Sequence, residues 1–120
     1  MVKLDHVALI VSSEECLKFY EKLGFKEIKR VERGYDTVVI LGNGQIALEV
    51  FIDPRHPDIS NALEPKGIRH IAFMVEDLED LIGIVECGEI KKDWFGRRFT
   101  LTEDSDGQPI ELIEKSEYDK

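Results

Sequence analysis

Two histidines and two glutamates interrupt apolar segments in which a charged side chain is out of place. His6 lies in LDHVALIV and His70 in IRHIAFMV, while Glu49 lies in IALEVFI and Glu111 in PIELI. An ionised carboxylate inside a buried strand is costly unless a cation or hydrogen bonds compensate it. Two neutral imidazoles and two carboxylates suit a divalent transition metal ion such as Ni, Zn, Co, Mn or Fe. These four residues are therefore candidate metal ligands.

The same four residues occupy equivalent positions in an internal repeat. The pattern apolar–polar–His–apolar–Ala–apolar–apolar–Val recurs after 64 residues, from His6 to His70. A Gly-Gln pair that leads into an apolar strand with one glutamate also recurs, and Glu49 and Glu111 are 62 residues apart. A single histidine in a strand is more often structural, and a single glutamate usually faces solvent. Their coincidence at matching positions favours one shared divalent ion over four separate roles.

The elements that must position these residues follow the order β-α-β-β-β in each copy. In the first copy, alternating residues predict a strand over 4–11, and Ser12 and Ser13 are cap-type residues before a helix that ends at Gly24. Turns containing glycine then separate further strands, which we expect at about 25–32, 35–41 and 46–52.

The second copy predicts the same order with a weaker helix. Asp77 is the candidate cap of that helix, and Gly83 interrupts it. The expected elements are a strand at about 68–75, a helix at about 78–85 and strands at about 89–93, 97–103 and 109–114. We expect one domain over residues 1–120, with a first βαβββ module (2–53), a linker (53–66), a second module (67–115) and a polar tail that frays.

Length, charge and composition limit the classes of partner that the chain is expected to bind. Its 120 residues fit one compact domain, and a formal net charge of -9 argues against nucleic acid and against an anionic membrane surface. No apolar run reaches the roughly 18 residues of a membrane span, and no signal peptide is recognisable. Cys16 and Cys87 are far apart, which predicts free thiols and a cytoplasmic location. The expected partner is a small-molecule substrate.

Several segments together resemble the vicinal oxygen chelate superfamily. They are LDHVALIV followed by FYEKLGF, then ALEVF, GIRHIAFMVEDLEDL and RRFTLTEDSDGQPIEL, and they span about residues 2–114. Within it, the chain looks like the short glyoxalase I-like proteins of bacteria. The resemblance implies an α+β fold of two βαβββ modules, the glyoxalase/bleomycin-resistance/dihydroxybiphenyl dioxygenase-like fold. It also implies a homodimer, and metal ligands from the first and fourth strands of each module, here His6, Glu49, His70 and Glu111.

The activity implied by the resemblance is that of a metal-dependent glyoxalase I-like lyase or isomerase, of the lactoylglutathione lyase class. Such an enzyme acts on a small α-oxo or hemithioacetal substrate and stabilises an enediolate, while a ligand carboxylate moves a proton between adjacent carbons. We expect Glu111 to be this catalytic base, with Glu49 as the alternative. Glutathione-using relatives often carry Arg and Asn where this chain has Ile10 and Asp53. The identity of the thiol in a hemithioacetal substrate is therefore not fixed by the sequence.

Other residues are weaker candidates for contact with the substrate. Trp94 and Phe95 line either the cleft or a dimer surface, and His56 is interpreted as a surface loop residue. Four basic residues are candidate anion-binding groups, each of which is otherwise a solvated surface charge: Arg33, Lys92, Arg97 and Arg98.

Two alternative functions belong to different classes. A methylmalonyl-CoA epimerase-like enzyme needs a long cationic groove for the nucleotide, and few Lys or Arg residues cluster in this chain. Such enzymes also commonly carry Gln where this chain has Glu49. A non-catalytic, drug-sequestering protein gains nothing from four metal ligands at matching positions. Whether the site lies within one chain or across two is not fixed by the sequence.

Overall fold

The computed structural model describes residues 2–59 and 66–115, which fall into two compact units, one ending at Asp58 and one beginning at Ile59. The first unit contains β1 (His6–Val11), a 3-10 turn (Glu14–Cys16), α1 (Leu17–Lys22), β2 (Lys26–Glu32), β3 (Thr37–Gly42) and β4 (Ala47–Ile52). The second contains β5 (Ile71–Val75), α2 (Glu79–Ile82), β6 (Lys91–Lys92), β7 (Arg98–Glu103) and β8 (Pro109–Glu114). This order confirms the predicted α+β fold of two βαβββ modules.

Each module forms one mixed sheet of four strands. The strand orders are β1-β4-β3-β2 and β5-β8-β7-β6. The first strand of each module runs parallel to the last, and the remaining neighbours are antiparallel. A tight turn cannot join two parallel strands, so the helix and the other strands lie between them in the sequence. The pairing therefore makes neighbours of segments that are far apart along the chain.

The buried residues of the first sheet follow the alternation of its strands. Leu9 and Val11 in β1 and Leu48 and Val50 in β4 are buried, and Tyr20 in α1 is completely buried. Burial of each such side chain contributes about 1.5–3 kcal/mol to stability. The alternate residues form the other side of the sheet, which we call the open face, and which comprises His6, Ala8, Ile10, Val38, Ile40, Ala47, Glu49 and Phe51.

The ends of α1 are built differently from each other. Ser13 is at the N-terminal cap position of the 3-10 turn, but its hydroxyl contacts Cys16 Sγ and makes no capping hydrogen bond to the backbone. The first turn, Glu14–Cys16, is 3-10 rather than the α-helix that the sequence predicts. Gly24 ends the helix as predicted, with φ of 102°, a conformation that favours glycine because it has no Cβ.

The second module has shorter elements than the sequence predicts. The helix expected over 78–85 is only α2, because Gly83 takes the C-terminal cap position. Asp77 does act as a cap, since its Oδ1 accepts a hydrogen bond from Glu79 N–H at 2.9 Å. The strand expected over 89–93 is reduced to β6. Before β6, Gly88 contacts β7 through its N–H, which donates to Leu101 O at 2.9 Å, and through its carbonyl, which accepts the Thr100 hydroxyl at 2.8 Å.

Both helices are short in the part of the chain that the structure describes. Within residues 2–59 and 66–115, no helix has the length and apolar composition that a membrane span requires.

The two modules share one register around their glutamates. In the parallel pair of the first module Ala8 lies opposite Glu49, and in the second Ala72 lies opposite Glu111. On the antiparallel side, the partners of these glutamates are Ile40 and Leu101. The repeat read from the sequence is therefore also a repeat of strand pairing.

Candidate functional site

His6 and Glu49 lie side by side on the open face of the first module. His6 is the first residue of β1, and Glu49 is in the middle of the parallel neighbour β4. The His6 Nε2 atom lies 3.7 Å from Glu49 Oε1, and the two side chains are 44% and 33% exposed. Ala8, directly opposite Glu49, carries only a methyl group and leaves space for the imidazole to reach the carboxylate.

Asp5 orients the ring of His6. The His6 Nδ1–H donates a hydrogen bond to Asp5 Oδ2 over 2.8 Å. This bond raises the pKa of His6 above its usual value; partial desolvation opposes the effect and the Glu49 charge adds to it. With its proton at Nδ1, the neutral ring presents the Nε2 lone pair, which is the form that a metal ion binds.

Asp5 is a residue that the sequence analysis missed. It directly precedes His6, but consecutive residues of a strand point to opposite faces, so alternation gives no reason to pair them. The contact forms because residue 5 lies before the start of β1. A carboxylate next to a candidate histidine ligand is the signal that could have identified it.

His70 and Glu111 form the corresponding pair in the second module. His70 directly precedes β5, and Glu111 lies in the middle of β8. The His70 Nε2 atom is 2.8 Å from Glu111 Oε1, and the side chains are 32% and 15% exposed. Ala72 lies opposite Glu111, as Ala8 does opposite Glu49.

The donor atoms of each pair fit neighbouring positions around a metal ion. Two ligand atoms that are each ~2.1 Å from one ion lie about 3.0–3.4 Å apart, for angles between square and tetrahedral. The observed separations of 2.8 Å for His70–Glu111 and 3.7 Å for His6–Glu49 lie on either side of this range. Imidazole nitrogen with carboxylate oxygen is also a donor set that divalent transition ions accept. Each pair can therefore supply two ligands to such an ion.

The glutamates are not buried in the way that the sequence pattern predicts. Glu49 and Glu111 interrupt apolar strands, yet both are partly exposed, because they lie on the face opposite Leu48, Val50, and Leu112. The desolvation cost of the two charges is correspondingly smaller than for a carboxylate inside a core.

The candidate anion-binding residues differ in their surroundings. Arg97 is ion-paired with Asp93, and Arg98 is ion-paired with Glu79 and Glu114. Lys92 is an exposed residue of β6. Arg33 stacks on aromatic rings, with its guanidinium carbon 4.7 Å from the centre of the Tyr35 ring and 5.2 Å from that of Phe51.

Trp94 and Phe95 lie at the tip of the β6–β7 hairpin. They are 96% and 81% exposed, and Asp93 Oδ1 shapes the tip by accepting hydrogen bonds from the backbone N–H groups of Phe95 and Arg97. His56 follows β4 and is half exposed, with its Nε2 3.7 Å from Asp53 Oδ2. This position agrees with the interpretation of His56 as a surface residue.

A second group of carboxylates has a structural explanation. Asp77, Glu79 and Glu114 lie close enough together to hold an ion, but Arg98 already compensates them. Arg98 lowers the pKa of Glu79 to about 2, with a further contribution from Asp77. Glu114 Oε2 also accepts the backbone N–H of Leu78 at 3.0 Å. This network ties the start of α2 to β7 and β8.

Comparisons with known proteins agree with the fold and with the repeat. Residues 3–112 match the family described as the Glyoxalase/Bleomycin resistance protein/Dioxygenase superfamily. The chain is 36% identical to the uncharacterized protein YwkD of Bacillus subtilis, over 93% of this chain and 96% of that protein. It is 33% identical to the uncharacterized protein YaeR of Escherichia coli, over 94% and 96%. A glyoxalase family protein from Enterococcus faecalis superposes with a TM-score of 0.84 at 34% identity, over 93% of this chain and 97% of that one.

The ion pairs of Arg98 predict a pH-dependent contribution to stability. The folded-state pKa of Glu79, about 2, lies below its ordinary value of 4.5. The stabilisation is therefore complete above pH ~4.5 and is lost as the pH falls towards ~2. We expect the urea midpoint of the wild type to fall more between about pH 6 and pH 3 than that of Arg98→Gln. Lys92→Gln is the charge-matched control, and equal losses in wild type and Arg98→Gln would contradict the prediction.

Proposed function

The chain belongs to the Glyoxalase/Bleomycin resistance protein/Dioxygenase superfamily, and we propose that it is a metal-dependent glyoxalase I-like lyase or isomerase. One divalent ion is coordinated by His6, Glu49, His70 and Glu111. The observation that carries this proposal is the common register of the two His–Glu pairs, each with alanine opposite the glutamate. Members of the superfamily often bind metal ions.

The chemistry divides between the ion and the side chains. A divalent ion bound by these residues would supply a Lewis acid for two adjacent oxygens of a small α-oxo or hemithioacetal substrate. His6 is held by Asp5 with Nε2 directed towards Glu49, so its ring needs little reorganisation to bind. The carboxylates offset positive charge and offer oxygen atoms to which a substrate proton can transfer.

Glu111 is our choice for the residue that moves the proton between adjacent carbons. It is the less exposed of the two carboxylates, at 15% against 33% for Glu49, so less water competes for its oxygens. Glu49 is the alternative base, because it occupies the equivalent position in the first module.

The alternatives are an epimerase of methylmalonyl-CoA type and a non-catalytic binding protein. The epimerase needs cationic groups along a nucleotide-binding groove, whereas Arg97 and Arg98 are committed to carboxylates of this chain. A sequestering protein requires no His–Glu pairs. Metal content therefore distinguishes the binding protein from the proposed enzyme, and the reaction catalysed distinguishes the epimerase from it.

Removal of a proposed ligand is expected to reduce bound metal. We expect purified wild type to contain one divalent ion per chain, and His6→Ala or His70→Ala to lower its affinity for the ion at least tenfold, since each removes one ligand of the set. Metal analysis by mass spectrometry after dialysis measures this change. His56→Ala is the control, because His56 is a half-exposed histidine outside the proposed ligand set. Unchanged metal content in both ligand variants would refute the assignment.

We further propose that the protein is a homodimer, and a mixing experiment locates the site. His6→Ala removes a ligand of the first module and His70→Ala a ligand of the second. If each site combines modules from two chains, refolding the two variants together restores about a quarter of wild-type metal binding. This fraction arises because half of the dimers are mixed and one of their two sites is intact. Sites within one chain stay defective, and light scattering measures the dimer itself.

Turnover is expected to depend on Glu111. Hemithioacetals of methylglyoxal with glutathione, cysteine and coenzyme A form the substrate panel, and thioester formation is the readout. We expect turnover of at least one of them, and a loss of roughly 10²–10⁴-fold in kcat for Glu111→Gln with the fold retained. Glu103→Gln, an exposed glutamate of β7, is the control. Proton exchange on methylmalonyl-CoA without thioester formation would support the epimerase, and metal binding without either reaction would support the binding protein.

A further inference from the structure

Arg33 is placed on the same face of the first module as the His6–Glu49 pair. It follows β2 by one residue and continues the alternation of Val31, whose partner Val38 lies opposite Phe51. Phe51 in turn is two residues beyond Glu49 on β4, a Cα separation of about 7 Å. The guanidinium carbon lies 5.2 Å from the centre of the Phe51 ring. A small molecule that contacts Glu49 can therefore extend to Arg33.

The Arg33 guanidinium is held in one orientation. Its Nε and Nη2 groups donate hydrogen bonds to Asp36 Oδ1 and Oδ2, each over 2.6 Å. Tyr35 and Phe51 both contribute stacking contacts to the planar group. The Asp36 side chain is only 5% exposed, whereas that of Arg33 is 35% exposed. The Asp36 carboxylate is thus buried, and the Arg33 guanidinium extends from it towards solvent.

The turn that carries Arg33 is itself fastened to β4. Arg55, which follows the end of β4, donates Nη2 to the carbonyl oxygen of Tyr35 over 2.7 Å. The same guanidinium is paired with Asp53 through contacts of 2.8 Å. The β2–β3 turn and the strand with Glu49 are therefore linked by hydrogen bonds, which limits relative movement of Arg33 and Glu49.

Asp36 occupies only one edge of the guanidinium. A planar guanidinium has five N–H donors, and Nε with one hydrogen of Nη2 serves Asp36. The Nη1 group and the second hydrogen of Nη2 form the other edge, whose spacing matches a second carboxylate. Within the described residues, the structure gives that edge no hydrogen-bond partner. The pKa of Arg33 is raised chiefly by Asp36, and Glu49 is among the charges that add to it, which agrees with their proximity.

We propose that Arg33 binds a carboxylate group of the substrate, and so determines that the substrate of the proposed metal centre is a carboxylic acid. The carboxylate lies a few bonds from the two oxygens that face the ion. This inference rests on the proposed function, and it names the substrate class. Arg33 contacts the substrate away from the reacting atoms and is a specificity-determining residue.

The test uses hydroxamates, which bind a metal ion through two adjacent oxygen atoms. Acetohydroxamate has no further charged group, so its affinity measures binding to the metal ion alone. A second series carries a terminal carboxylate, separated from the hydroxamate by two, three or four methylene groups. Its gain in affinity measures the contribution of Arg33. The matching terminal carboxamides have the same size without the charge. Dissociation constants are measured by calorimetry on the dimer or monomer as purified, loaded with Zn²⁺.

The expected result is a preference for one carboxylate over its carboxamide of roughly tenfold or more in the wild type. In Arg33→Met this preference disappears while acetohydroxamate binds as in the wild type, and Arg33→Lys retains part of it, because lysine keeps the charge and loses the fork. Arg30→Met is the control: Arg30 also lies on β2, but it pairs with Glu14 and Glu27 opposite buried Val39.

The outcomes separate this inference from the proposed function. Equal affinities of carboxylate and carboxamide in the wild type, or a preference that persists in Arg33→Met, would overturn the role of Arg33 and leave the metal centre standing. Absence of acetohydroxamate binding to the Zn²⁺-loaded protein would overturn the metal centre and the inference with it. The wild-type comparison of ligands is decisive even if Arg33→Met does not fold.

Discussion

Parallel pairing between the first and last strands of each module is the constraint on which the candidate site depends. It sets His6 opposite Ala47, two residues before Glu49, and it sets Ile71, which follows His70, opposite Ile110, which precedes Glu111, although the paired residues are far apart in the chain. In the first module, alternate residues of β1 and β4 then bury Leu9, Val11, Leu48 and Val50 on one face, which leaves the polar pair on the other.

The two glutamates of β8 show that a charge in an apolar strand has more than one explanation. Glu111 and Glu114 are three residues apart and therefore point to opposite faces of the sheet. Glu114 is compensated by Arg98 and by the backbone N–H of Leu78, so its charge is fully explained within the fold. Glu111 instead contacts the imidazole of His70 on the open side of its sheet. The distinction depends on the partners across the sheet, not on the strand sequence.

The sequence was sufficient for the order of elements, because that order follows from alternation and from the repeat. It was insufficient for the length of β6, because no local pattern indicates the hydrogen bond from the Thr100 hydroxyl to the Gly88 carbonyl, whereas the end of α2 at Gly83 was expected. It also missed Asp5, which contacts His6 only because the strand starts one residue later. The special position of Arg33 depends on Phe51, a residue 18 positions away that strand register brings close.

Alanine opposite the glutamate in both modules has a consequence for how such chains diverge. Ala8 and Ala72 are exposed, so the sheet itself would tolerate a larger, β-branched side chain at either position without loss of stability. That side chain would occupy the volume through which the imidazole approaches the carboxylate. A descendant could therefore lose the His–Glu contact while keeping both polar residues. In comparing sequences of such descendants, the alanine is as informative about retained chemistry as the histidine and the glutamate.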